Sequence, residues 1–191
     1  MDAAARIRHL APLVSSTQAT ELAELFRHRS RDEVARDQVL ENAEEAYEKA
    51  EGYTAAHLRR RWFAAAAEEF ELIGEWKEAT RAWYDAFDST PHTQPEVANA
   101  FLSRSVAAAR AGGLHVHAAK YAAQLAVYRM HRRADEETFD ALVDAANLYA
   151  EAGVATKEKE FLGHALAVAK KAARGEIPRA STRAVERRLA A

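Results

Sequence analysis

The sequence predicts an all-α protein built as a row of antiparallel helical hairpins, and three observations lead there. Alanine is about a quarter of the 191 residues while Gly (7) and Pro (4) are scarce, and Ala is the best helix former and those two the worst. No stretch alternates apolar and polar residues as a half-buried strand does. Gly74, Gly113 and Gly153 recur at intervals of 39 and 40 residues, each between two amphipathic stretches. A period of that size marks stacked helix pairs, in which each pair buries an apolar face against its neighbour.

The elements follow in order. "SRDE" at 30–33 reads as a capping box, with Ser30 capping and Glu33 reaching back. It opens an amphipathic helix with Val34, Val39, Ala43, Ala46, Tyr47 and Ala50 on its apolar side, ended by Gly52. Thr54 opens "AAHLRRRWFAAAAEEFELIG", which runs to Gly74. "EWKEATRAWYDAFDS" then puts Trp76, Ala79, Trp83, Ala86 and Phe87 on one helical face and stops at "TPHTQP". Three tryptophans, Trp62, Trp76 and Trp83, can in principle cage a cation. The repeat register instead assigns Trp76 and Trp83 to an inter-helix core seam and leaves Trp62 partly exposed. Two further hairpins follow, "EVANAFLSRSVAAARAGG" with "LHVHAAKYAAQLAVYRMHRR", and "DEETFDALVDAANLYAEAG" with "VATKEKEFLGHALAVAKKAARG". The last segment, "IPRASTRAVERRLAA", is a basic amphipathic helix with Pro178 near its start.

Residues 60–91 resemble a tetratricopeptide repeat. Counting Arg60 as the first position, Phe63, Ala67 and Phe70 supply the large–small–aromatic series of the first helix. Gly74 takes the turn, Trp76 the turn aromatic, Ala79 and Ala86 the small positions, Trp83 the aromatic and Pro91 the end. The second unit keeps Leu102, Gly113 and Ala118 but lacks the aromatics. The third keeps Leu142, Ala146, Tyr149 and Gly153, with Glu158 where a small residue belongs. The period near 40 exceeds the family's usual 34, so the longer form is similar to the hairpins of SNAP-type adaptor proteins. The resemblance implies a right-handed stack of antiparallel hairpins: N-terminal helices over 1–53, three hairpins over 54–174 and a C-terminal capping helix over 175–191, all in one domain. It also implies a non-catalytic scaffold whose concave groove takes a peptide or a partner helix. The groove positions fall on Arg61, Glu68 and Glu71, then Ser103 and Arg110, then Asp140 and Asn147. A lysine–asparagine clamp for a C-terminal carboxylate is not reproduced.

Other function classes are narrowed by chemistry. A net charge of −2 argues against whole-protein attraction to nucleic acid or an anionic membrane. The absence of Cys removes disulfides, thiolate metal sites and Cys nucleophiles. No signal-peptide pattern or long apolar run is visible, so a cytoplasmic protein without a membrane span is expected. No nucleophile, phosphate-loop or dinucleotide motif occurs, and no catalytic residue, cofactor or metal is expected. His115 and His117 lack further ligands and read as solvated residues at a helix start. The pairs Glu44–Glu45 and Glu68–Glu69 diverge by about 100° around a helix, too far to clamp a reacting group. Two alternatives stay open. Residues 20–39, with Arg27, His28, Arg29, Arg31 and Arg36, can place a helix on DNA, although Asp32, Glu33 and Asp37 would face the phosphates. A helical inhibitor or immunity-type protein would instead bind a cognate protein by its outer surface.

Overall fold

The computed structural model describes residues 36–173 and 176–190, and among them the regular structure is entirely helical. The helices are α1 (Arg36–Gly52), α2 (Ala56–Ile73), α3 (Trp76–Asp88), α4 (Pro95–Ala111), α5 (His115–Met130), α6 (Glu136–Glu151), α7 (Ala155–Lys171) and α8 (Arg179–Ala190). The capping box at Ser30 and Glu33, Val34 and residues 20–35 of the basic segment lie outside the described residues. The chain divides into two compact units, Met1–Phe101 and Leu102–Ala191, with the boundary inside α4. In the first unit α1 packs on α2 and α2 on α3. In the second α5 packs on α6, α6 on α7 and α7 on α8.

The expected glycines close the turns α2–α3, α4–α5 and α6–α7, and all three are left-handed, with φ of 75°, 66° and 74°. Each turn is closed the same way. Glu75, Leu114 and Val154 donate their backbone N–H to Phe70, Ala109 and Tyr149 at 3.0, 2.8 and 2.8 Å, and each glycine N–H reaches the carbonyl three residues back. These bonds satisfy carbonyls that the end of a helix would otherwise leave orphaned. A side chain at such a φ would crowd its own carbonyl, which is why glycine stands there.

The apolar register repeats around these turns. The residues eleven before each glycine (Phe63, Leu102, Leu142), eight before (Ala66, Ser105, Ala145), seven before (Ala67, Val106, Ala146) and nine after (Trp83, Ala122, Leu162) are all buried. Small residues in the middle of each first helix let the helices approach closely, and the larger ones fill the remaining gaps.

Trp83 answers the seam question for its unit: it is 0% exposed, and its ring stacks on Phe101 at 5.9 Å. Its indole N–H is satisfied by Glu71 Oε1 at 2.7 Å. Trp76 is only half-buried, because it opens α3 at the turn, 3.8 Å from where Gly74 would carry a Cβ. Trp62 is half-buried under two cations of the chain itself, Lys49 and Arg61, each 5.1 Å from its ring.

Helix starts are less regular than their ends. Ala55, rather than Thr54, caps α2, with no side-chain bond. Asp135 caps α6 by accepting the Thr138 N–H at 2.9 Å, and that bonding holds its carboxyl below the usual carboxylate range. Pro95 begins α4, where its missing N–H costs nothing.

Candidate functional site

In the first unit Arg61, Glu68 and Glu71 lie along α2, seven and three residues apart. Arg61 and Glu68 are 4% and 7% exposed, so both are buried within the chain. Glu71 is half-buried and accepts the Trp83 indole bond. The most buried stretch of α2 therefore carries charge, and reversing a charge there costs stability whatever it does to binding. The neighbouring cluster around α1 and α3 is tied by Tyr47, whose hydroxyl donates to Asp85 across 38 residues of sequence. Burial, followed by that bond, raises the Tyr47 phenol above its ordinary value, and burial likewise raises Asp85. Tyr47 thus stays a protonated donor at neutral pH.

In the second unit the candidate residues are polar, and three of the four face solvent. Ser103, Arg110 and Asp140 are exposed, and Arg110 Nη2 lies 3.6 Å from Asp144 Oδ1 on α6. Asp140, Asp144 and Asn147 occupy successive turns of that helix, and the Arg110–Asp144 pair joins it to α4. Asn147 has an occupant from the chain itself: Arg188 Nη1 on α8 donates to its Oδ1 at 2.6 Å, while Nη2 donates to Glu158 Oε1 on α7 at 2.7 Å. Val185 is buried beneath the same helix. One guanidinium therefore links α6, α7 and α8 with two charge-supported bonds.

Asp144 escaped the sequence reading, and Glu158 entered it only as a departure from the repeat. Asp144 was legible from its position one turn after Asp140. Glu158 was visible as an anomaly, a carboxylate in a small-residue slot, and its partner Arg188 explains it. No period in the sequence links those two. Of the basic N-terminal group only Arg36 is described, and it pairs with Glu75. His115 and His117 are exposed at the start of α5, and the His117 ring lies 6.3 Å from Tyr121. Among the described residues no three His, Asp or Glu side chains gather where a metal could sit, and no helix is long and apolar enough to cross a membrane. No family model matches the chain, and no curated protein and no solved structure matches it.

Proposed function

We propose that the protein is a non-catalytic interaction scaffold of the tetratricopeptide type, its helical hairpins stacked right-handedly, and that it binds a peptide or helix of a partner protein. The observation that carries this reading is the exposure of Ser103, Arg110 and Asp140 on α4 and α6, two helices joined by the Arg110–Asp144 pair, with Asn147 holding an arginine. The α6–α7 surface accepts an amphipathic helix, α8, through one buried valine and one forked arginine, and a partner helix engages by the same chemistry. The mixed charges favour a partner segment carrying both signs, each group on the face being able to accept or donate a charge-assisted bond.

The test is an affinity capture from nuclease-treated lysate of the source cells, comparing wild type with Arg110→Glu/Asp140→Arg. Both side chains are exposed, so the variant keeps its helicity. A protein recovered by wild type and lost by the variant supports the face. The same protein recovered equally by both places the interface elsewhere.

A further inference from the structure

The first unit contains an open cavity of about 220 Å³ at the junction of α1, α2 and α3, lined by Glu44, Tyr47, Glu48, Phe70, Glu78 and Arg81. Its floor is aromatic. Phe70 is buried, and the half-buried Tyr47 ring is held edge-on against Phe63 at 5.0 Å while its hydroxyl is anchored by Asp85. Its rim carries three carboxylates and one guanidinium. Glu44 and Glu48 are exposed one turn apart on α1, a like-charge spacing that weakens a helix unless a cation lies between them. Arg81 lies 5.2 Å over the Tyr47 ring and 3.7 Å from Asp85, with its side chain 70% exposed. The chain's own cation thus already rests on this ring, and only loosely.

We infer that this cavity receives the guanidinium of an arginine side chain presented by a partner polypeptide. A planar guanidinium can stack on an aromatic ring and bond a carboxylate in its own plane, whereas a lysine ammonium offers a point charge without the stacking plane. The carboxylates exceed the single guanidinium, so the site repels anions, and an apolar occupant would desolvate the rim without pairing it. The size suits one long side chain rather than an element of secondary structure. The inference concerns this unit alone and does not depend on the exposed residues of α4 and α6.

The test is a titration of the ¹⁵N-labelled full chain with acetyl-Gly-Arg-Gly-amide and with its citrulline counterpart, which keeps the shape and removes the charge. The arginine peptide is expected to shift the backbone amides of residues 44–48 and 78–81, and the citrulline peptide to leave them in place. Glu48→Gln/Glu78→Gln should weaken binding by about threefold or more, the scale of exposed ion pairs. Arg81→Gln, which removes the internal competitor, should tighten it by about threefold, the scale of an exposed cation–ring contact. The spectrum of each variant reports at once whether its fold is retained. Equal shifts with citrulline, shifts confined to other amides, or a dissociation constant unmoved in both variants would overturn the inference.

Discussion

Trp83 and Glu71 show how one residue does two jobs. The ring fills the space between α2, α3 and Phe101, and its one polar atom is matched by a carboxylate twelve residues earlier. Trp83→Ala should cost about 3–5 kcal/mol in urea denaturation, since it opens a cavity and removes the indole bond to Glu71. The tryptophan was legible from its register, but Glu71 was not: its spacing marked it for a groove, and nothing in a helical period reveals a bond across a turn. Asp135 gives a pH test at the same scale. Its folded pKa lies below its unfolded one, so its stabilisation is complete above the ordinary value of 3.8 and is lost as pH falls through the folded value. Asp135→Ala should cost about 0.5–2 kcal/mol at neutral pH. Asp135→Asn, which caps without titrating, should flatten that acid-side loss in stability measured between neutrality and acid pH.

The hairpin turns were the most legible elements, because glycine is the one residue whose backbone freedom the turn demands and its spacing carries over unchanged into the fold. At Gly113 an added Cβ would meet nothing within 4 Å, so the cost of Gly113→Ala isolates the backbone strain at φ 66°. It should destabilise by about 1–2 kcal/mol, and Gly113→Asn by less, as thermal or urea unfolding can measure. Helix starts were harder to read. Thr54 looks like a cap, yet α2 begins one residue later under Ala55, because packing of the alanine-rich stretch fixes the helix and the cap follows. The α8 helix was placed by Pro178, but its attachment was not, since Arg188, Asn147 and Glu158 belong to three different elements. Arg188→Ala should cost about 1 kcal/mol after allowance for solvent, and amide exchange should speed up first in α8.

Across the described residues, composition and the glycine period were enough to identify all-α structure, with consecutive helices packed within each of the two units. They did not separate the two compact units, since the boundary falls inside α4, where no proline, glycine or change of composition marks it. The candidate groove residues divide along that line. Those on α2 are buried or bonded within the chain, while Ser103, Arg110 and Asp140 on α4 and α6 are exposed and Asn147 is bonded by Arg188. Helical periodicity assigns residues to a face but not the neighbours that cover it, so burial of Arg61 and Glu68 was not legible. The claim that a partner engages the α4–α6 face is tested most directly by photo-crosslinking in the source cells, with a benzophenone amino acid placed at Ser103 or, as the control, at the exposed Lys120 of α5. A discrete crosslinked protein is expected from position 103 and none from position 120. The same crosslink from position 120, with none from position 103, would contradict it.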